Sequence, residues 1–256
     1  MRRYPTCGEA WLGLLTHVTE EAEPGLDDRG PVLEAPPLSF EIVNLSWEDP
    51  LLSGVAEATT IARYERKFTS QEIITPFKYS YGARLRRLQG VDQVDWACEL
   101  LRARPWSKSA WISLTVPGER PDAVPCLAAL SVRVRRGELQ MSAIFRSQNA
   151  FTAYLNYFPL RAIQAEISVR LGAPCGPLRV YVDVPHVYVA DTERITGILS
   201  RLGSAGGGSQ AADMALRGRC QCGGHRLLLG EPVRRAPGRG RDSESILDRC
   251  RSERAG

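Results

Sequence analysis

Six residues with reactive or polar side chains are spread between positions 126 and 188. In chain order they are Cys126, Arg146, Ser147, Asn156, His186 and Tyr188. An ionised cysteine is a nucleophile, and an arginine beside a hydroxyl binds anions such as phosphate. An asparagine amide donates and accepts hydrogen bonds at the same time. These residue types suit a site in which a thiolate attacks a bound anionic ligand.

Each of these residues also has a structural explanation when it is considered alone. A single cysteine at the start of a strand is more often a core residue than a catalytic one. A histidine at a strand end is more often a surface residue, and an asparagine inside a helix is ordinarily exposed. Tyr81, which precedes Gly82, is commonly a packing residue. The order and spacing of the whole set favour a functional site, with a non-catalytic relative as the alternative.

The elements that must position this set are a hairpin, a long helix and a strand. Residues 127–135 and 138–146 flank Arg136-Gly137, which predicts a β-hairpin. Apolar residues at helical spacing predict a helix over residues 151–171. An apolar run predicts a strand over residues 178–184.

The remaining expected elements lie mainly before this region. They are helices over residues 4–22, 50–67, 93–104 and 191–202 and strands over residues 38–46 and 109–116. Residues 23–37 are rich in proline, glycine and aspartate, which predicts a loop. These helices and strands predict one folded domain over residues 1–202.

Residues 203–256 differ from this domain in composition. They hold 11 of the 23 glycines and none of the phenylalanines, tyrosines and tryptophans, so we expect a disordered Gly/Arg-rich tail. The tail contains Cys220, Cys222 and His225, which are three candidate metal ligands, whereas structural zinc usually needs four. A solvated tail is therefore favoured over a metal site, and no metal is expected.

Composition and charge narrow the classes of protein further. The 256 residues are 43% hydrophobic and 24% charged, with a net charge of +4. Ten arginines and six acidic residues lie within 203–256, so the first 202 residues are neutral and a nucleic-acid-binding groove is not expected. Without an apolar stretch long enough for a membrane span or a secretory signal, we expect a cytoplasmic protein. The seven cysteines should be reduced, with Cys7 and Cys98 in the core.

Several short motifs together resemble the thymidylate synthase family, including its nucleotide hydroxymethylase branch. In chain order they are Tyr81-Gly82, Pro125-Cys126, Arg146-Ser147, Asn156, His186-Val187-Tyr188 and the helical segment 191–201. The spacing from Cys126 to Arg146 and from Asn156 to His186 fits the family, with one residue fewer between Ser147 and Asn156. The resemblance covers about residues 5–201.

The resemblance implies a fold, a reaction and partners. The fold would be the family's three-layer α/β (α+β) arrangement, with a mixed sheet packed in the interface of a homodimer. The reaction would transfer one carbon from 5,10-methylenetetrahydrofolate to C5 of a pyrimidine nucleoside monophosphate. Cys126 would add to C6 of the base and thereby make C5 nucleophilic. Neither a nucleic acid nor a membrane is an expected partner.

The resemblance also implies a role for individual side chains. Arg29, Arg146 and Ser147 would bind the 5′-phosphate, and Lys108 stands where the family's partner subunit contributes two arginines to that phosphate. Asn156 would bind the base, whereas His186 and Tyr188 would bind the sugar hydroxyl. Tyr81 would order the water that removes the C5 proton, Glu57 is the candidate for the family's catalytic glutamate, and Asn149 would contact the folate pterin.

Three departures from the family bear on the product. No tryptophan lies between Glu57 and Tyr81, Asn149 replaces an aspartate, and residues 203–256 replace an apolar closing tail. A site that admits water would let hydroxide capture the one-carbon unit on C5. We therefore expect a 5-hydroxymethyl nucleotide made from CMP, dCMP or dUMP in specialised nucleoside biosynthesis. Thymidylate synthase-type methylation of dUMP and a non-catalytic nucleotide-binding relative are the alternatives.

Overall fold

A mixed sheet of eight strands forms the centre of the part of the chain that the structure describes. The computed structural model describes residues 1–44, 49–53, 55 and 57–205. The strands are β1 (Arg2–Tyr4), β2 (Glu23–Asp27), β3 (Gly30–Glu34), β4 (Leu38–Ile42), β5 (Trp111–Ser113), β6 (Leu127–Arg135), β7 (Glu138–Asn149) and β8 (Cys175–Tyr188). Their order is β1-β4-β8-β7-β6-β5, and β3 joins β8 to β2. The pairs β1–β4 and β7–β8 are parallel, and the other pairs are antiparallel.

The predicted hairpin of β6 and β7 is confirmed. Its two-residue turn consists of Arg136 and Gly137, whose φ angles are 55° and 79°. Positive φ at both positions matches the right-handed twist of the strands. The register pairs Arg135 with Glu138 and Leu127 with Phe145. Cys126 therefore stands directly before β6, and Arg146 lies opposite it on β7.

Six α-helices accompany the sheet in the described part of the chain. They are α1 (Cys7–Glu21), α2 (Ala58–Thr69), α3 (Tyr81–Arg87), α4 (Gln93–Ala103), α5 (Tyr154–Leu171) and α6 (Thr192–Ala205). Asp92 caps α4 through hydrogen bonds from the N–H groups of Val94 and Asp95. The long helix α5 ends at Gly172, whose φ of 63° is left-handed. The predicted helices that correspond to α4, α5 and α6 are confirmed to within a few residues.

The helices pack on one face of the sheet. On this face β7 and β8 bury alternate residues such as Met141 and Val180. Helix α5 packs against both strands and against α1, α2 and α4. On the opposite face β8 exposes Arg179, Tyr181 and Asp183. The described chain thus has a helical layer and a sheet layer, and one sheet face is left without a helical layer.

Residues 35–37 lie outside any helix or strand, as predicted, but residues 23–34 do not form the predicted loop. They form the antiparallel hairpin β2–β3, in which Pro24 pairs with Leu33 and Leu26 with Pro31. The prediction was wrong because proline is tolerated in an edge strand such as β2, which holds Pro24, and near the start of a strand, where Pro31 lies in β3. Val32 of β3 is 1% exposed and pairs with Tyr188 of β8, so a long-range contact secures the hairpin.

Two further boundaries differ from the prediction. The helix predicted over residues 50–67 begins only at Ala58. The Asp49 carboxylate accepts hydrogen bonds from Gly8 N–H at 2.5 Å and Leu51 N–H at 3.1 Å, which holds the residues that follow in turns. Tyr4, predicted as the first residue of the helix over residues 4–22, instead ends β1, which pairs with β4, and the helix begins at Cys7.

Other expectations concern cysteines, membranes and the tail. Cys7 and Cys98 are buried, as predicted, and the cysteines in the described ranges are free thiols. In the same ranges, no helix has the length and apolar character needed to cross a membrane. Helix α6 continues to Ala205, and the rest of the predicted disordered tail, with the candidate ligands Cys220, Cys222 and His225, lies outside the described residues.

Candidate active site

Cys126 lies at the junction between a loop and β6, and its backbone is fixed on both sides. Its N–H donates to the Tyr79 hydroxyl at 3.3 Å, and the N–H of Leu127 donates to the Tyr81 hydroxyl at 3.2 Å. The N–H of Arg146 donates to the Cys126 carbonyl at 2.9 Å. The side chain is half-buried. A thiol held in this way reaches solvent from a rigid backbone.

Arg146 and Ser147 lie directly beside Cys126. Arg146 donates from Nε to the carbonyl of Pro125 at 3.1 Å and from Nη2 to that of Val124 at 2.9 Å. Its Nη1 lies 3.4 Å from Ser147 Oγ, and Ser147 Oγ lies 3.8 Å from Cys126 Sγ. The structure therefore brings together the cysteine, the arginine and the hydroxyl that the sequence singled out.

His186 and Tyr188 lie at the end of β8, where it pairs with β3. Their rings meet edge to face with centroids 5.5 Å apart. Tyr188 donates to the Asp27 carboxylate at 2.9 Å, and the same carboxylate accepts a hydrogen bond from the N–H of Arg29 at 2.7 Å. Burial lowers the pKa of His186, so the ring is neutral at pH 7. A neutral imidazole can donate and accept hydrogen bonds toward a hydroxyl.

Arg29 reaches this region because residues 23–34 form a hairpin. It lies in the turn between β2 and β3 and is exposed. Its charge acts on His186 and Tyr188 and also on Tyr64 and Lys67, which in turn interact electrostatically with Cys126. Arg29 therefore interacts electrostatically with residues at both ends of the candidate site.

The two asparagines lie where β7 leads into α5. Asn149 pairs with His186 across β7 and β8, and its side-chain oxygen accepts a hydrogen bond from the N–H of Phe151 at 2.9 Å. Its amide nitrogen remains available as a donor. Asn156 lies in the first turn of α5 and is half-buried, with its amide nitrogen 3.5 Å from the Ala153 carbonyl.

Tyr81 and Glu57 occupy different environments. The Tyr81 side chain is 1% exposed, and burial raises its pKa well above the usual value, so the hydroxyl stays protonated. Glu57 precedes α2 as its N-cap residue and is exposed. Glu57 and Lys67 lie at opposite ends of α2. At a rise of about 1.5 Å per residue, the helix separates their backbones by about 15 Å.

Lys67 is the residue near Cys126 that sequence reasoning missed. It is 7% exposed, and its Nζ lies over the rings of Phe77, Tyr81 and Tyr79 at 4.3, 4.5 and 4.6 Å from the centroids. The ring of Tyr64 is 5.7 Å away. A signal was present, because Lys67 is one of only three lysines and aromatic residues recur at positions 64, 68, 77, 79 and 81.

The comparisons with known proteins agree with this geometry. Residues 61–207 match the thymidylate synthase family, which is more than half of the chain. The chain belongs to the thymidylate synthase family. A relative from Methanosarcina barkeri is 25% identical over 206 residues, covering 77% of this chain and 93% of its own. One from Methanopyrus kandleri is 29% identical over 195 residues, covering 73% and 91%. Both carry provisional names as thymidylate synthases.

The match to the thymidylate synthase family divides the predicted site residues into two groups. Those from Tyr81 to Tyr188 lie inside the matched range, whereas Arg29 and Glu57 precede it. Arg29 is nevertheless brought to the site by β3. The role of Glu57 as the family's catalytic glutamate remains a prediction, and only its position directly before α2 supports it.

Lys108 lies far from the Cys126 of its own chain. It is exposed and lines an open cavity of about 790 Å³ together with Arg133 and Arg135 of β6. These arginines are seven and nine residues after Cys126, or about 20–30 Å along an extended strand at about 3.3 Å per residue. Lys108 therefore cannot complete a phosphate site around its own Cys126, which leaves the predicted contribution to a partner subunit as the remaining hypothesis.

Proposed function

We propose that this protein transfers a one-carbon unit from 5,10-methylenetetrahydrofolate to C5 of a pyrimidine nucleoside 5′-monophosphate. The observation that carries the proposal is the cluster of Cys126, Arg146 and Ser147. A nucleophilic thiol, a cation and a hydroxyl lie within one small region, and the relatives' names point to the same reaction class. The protein would accordingly be a transferase of one-carbon groups.

Cys126 would begin the reaction as a thiolate. Its sulfur forms a bond to C6 of the base, and the electron pair of the C5–C6 double bond moves toward C4 and O4. C5 thereby becomes nucleophilic and can accept the carbon. The rigid backbone around Cys126 favours this step because the sulfur needs little reorganisation to reach C6.

The nucleotide would be held along the line from Cys126 to the end of β8. Arg146, Ser147 and Arg29 would bind the 5′-phosphate, for which charged, geometrically matched donors are the strongest partners. Neutral His186 and Tyr188 would bind the sugar hydroxyl. Asn156, at the start of α5, would bind the O4/N3 edge of the base through an amide that both donates and accepts.

Two further residues would act on the C5 proton, and the folate would bind next to them. Tyr81, protonated because it is buried, would order a water molecule, and Glu57 is the candidate acid or base. The amide nitrogen of Asn149 would contact the pterin of the folate. 5,10-Methylenetetrahydrofolate, when bound, supplies the one-carbon unit.

We favour a 5-hydroxymethyl product, formed from CMP, dCMP or dUMP. The range between Glu57 and Tyr81 lacks tryptophan, and the amide of Asn149 replaces a charged carboxylate. Both changes weaken the hold on the folate and favour access of water to the carbon on C5. The second candidate is thymidylate synthase-type methylation of dUMP, which the names of the archaeal relatives favour.

A homodimer would complete the phosphate site. The helix-free face of the sheet offers a surface on which a second copy could pack as the third layer. Lys108 would then reach the phosphate bound by the partner subunit. The neutral charge of residues 1–202 would not oppose such self-association.

The deciding experiment incubates the protein with CMP, dCMP or dUMP, each tritiated at C5, and 5,10-methylenetetrahydrofolate. Release of tritium shows that C5 is activated, and mass spectrometry separates hydroxymethyl from methyl products. Absorbance of dihydrofolate provides an independent readout, since methylation oxidises the folate and hydroxymethylation does not. Failure to release tritium from any nucleotide would overturn the enzymatic proposal and favour a nucleotide-binding relative.

A further inference from the structure

The ammonium group of Lys67 is buried in a box of aromatic rings beside Cys126. Lys67 lies at the end of α2, and the rings come from its own helix, from the connection after α2 and from α3. They belong to Tyr64, Phe77, Tyr79 and Tyr81. Lysine is almost never buried without compensation, because its charge loses hydration. Electron-rich ring faces recover part of that loss.

The box and the backbone of Cys126 share two side chains. The rings of Tyr79 and Tyr81 face the Lys67 ammonium. Their hydroxyls accept hydrogen bonds from the backbone, Tyr79 from the N–H of Cys126 and Tyr81 from the N–H of Leu127. The Ser80 hydroxyl also donates to the Lys67 carbonyl at 3.3 Å and accepts from the N–H of Ala83 at 3.1 Å. The position of the ammonium relative to the cysteine is therefore set by rigid elements.

We propose that the Lys67 ammonium is a positioning group that stabilises the thiolate form of Cys126. The proton of the thiol leaves to solvent, and the sulfur keeps the electron pair opposite a fixed positive charge. Lys67 remains protonated throughout and forms no bond to the substrate. This inference rests on the proposed function and deepens it, because a more abundant thiolate would speed addition to C6. Its test needs neither nucleotide nor folate, so its failure is distinguishable from failure of the proposed function.

The charges around Lys67 are consistent with this role. Burial lowers the pKa of Lys67 to about 8, ionised Cys126 raises it, and Arg29 lowers it. Lys67 is therefore mainly charged at pH 7 and loses its charge at more alkaline pH. The ionisable groups that face it are the Tyr64, Tyr79 and Tyr81 hydroxyls, the Cys126 thiol and the Arg29 guanidinium. Burial raises the pKa of each of these tyrosines, so their hydroxyls stay protonated and Cys126 is the group whose thiolate form would face the ammonium.

The test measures how fast iodoacetamide alkylates Cys126 as a function of pH, with mass spectrometry of the Cys126 peptide. In Lys67→Met, an unbranched apolar side chain fills the box without a charge. A neighbouring charge changes such an ionisation about tenfold or more, so alkylation at pH 7 should slow by about that factor. Above the range in which Lys67 loses its proton, the two proteins should react alike.

Arg66→Met is the matched control, because it removes a positive charge from the exposed side of the same helix, one residue away. It should alkylate like the unaltered protein. Lys67→Arg should restore part of the rate, since a guanidinium also stacks on aromatic rings. Equal alkylation of Lys67→Met and the unaltered protein at pH 7 would overturn the proposal, whatever the protein catalyses.

A reciprocal measurement covers the case in which Lys67→Met does not fold. Carbon-13 at Cε of lysine gives three resonances, since the chain has three lysines. In the unaltered protein the Lys67 resonance should titrate near pH 8. In Cys126→Ala it should titrate at lower pH, because the coupling between two charges is mutual and the thiolate that favours the charged lysine is gone. An unchanged titration in Cys126→Ala would refute the pairing of these two groups.

Discussion

Gly82 is the position at which the packing beneath the candidate site is least tolerant of an added atom. It lies in the first turn of α3, and a Cβ there would lie 2.8 Å from the Ser70 carbonyl carbon and 2.9 Å from the Phe68 oxygen. It would lie closer still to the Ser70 oxygen. These are backbone atoms at the end of α2 and cannot rotate away. Gly82→Ala must therefore push α3 away from α2.

The expected cost follows from two opposing effects. Alanine favours a helix over glycine by about 1 kcal/mol, whereas overpacking of this kind costs about 1–3 kcal/mol and occasionally more. Since rigid backbone is contacted, we expect the upper end, and a net loss of about 2 kcal/mol in the free energy of unfolding. Displacement of Tyr81 should also break its hydrogen bond to Leu127 and slow tritium release from C5.

Gly197→Ala provides the matched control. Gly197 lies in α6, is exposed, and has no atom within 4 Å of an added Cβ. This variant should be as stable as the unaltered protein or more stable by up to about 1 kcal/mol. Urea unfolding of the three proteins gives the comparison. If Gly82→Ala were as stable as Gly197→Ala, the close contact between α2 and α3 would be wrong.

Four further predictions concern the site. Cys126→Ala should abolish tritium release from C5 and keep nucleotide affinity within about tenfold in a calorimetric titration; residual release would refute a covalent step. Arg146→Ala and Arg29→Ala should each weaken nucleotide binding by about ten- to a hundredfold, at about 1.5–3 kcal/mol per charged contact, and leave nucleoside binding unchanged. Burial lowers the pKa of His186 in the folded protein, so below about pH 6.5 the unfolded chain binds a proton that the folded chain does not, and the free energy of unfolding falls. Between pH 7 and pH 5, urea unfolding should therefore show a smaller loss of stability for His186→Gln than for the unaltered protein. An equal loss in the two proteins would contradict this. If Lys108 completes the partner's site, an equal mixture of Cys126→Ala and Lys108→Ala chains should regain about a quarter of the activity of the unaltered dimer. Half of the dimers then combine one chain of each kind, and each of these holds one intact site out of two. No recovery would place Lys108 elsewhere.

Local patterns in the sequence determined the central elements of the fold. The turn at Arg136-Gly137 specifies a hairpin by its backbone preference, and helical spacing of apolar residues specifies α5. Because Cys126 and Arg146 flank that hairpin, its register alone places them side by side. The cluster of Cys126, Arg146 and Ser147 therefore follows from local sequence signals alone.

Other parts of the site depended on contacts between residues distant in the chain. The hairpin of residues 23–34 exists because β3 pairs with β8, and no local signal overcomes the high content of proline and glycine. Arg29 reaches His186 and Tyr188 only through that pairing. In the same way, the start of α2 is delayed by Asp49, whose carboxylate is bound to Gly8.

The sequence by itself thus determined the family and the strands that present Cys126, the proposed nucleophile. The tertiary structure alone decided which charges surround that nucleophile. Lys67 is buried because four rings, from residues 64 to 81, close around its side chain, and Lys108 is removed from Cys126 because β6 is extended. Periodicity reports which face of an element is buried, whereas electrostatic partners are set by how separate elements pack.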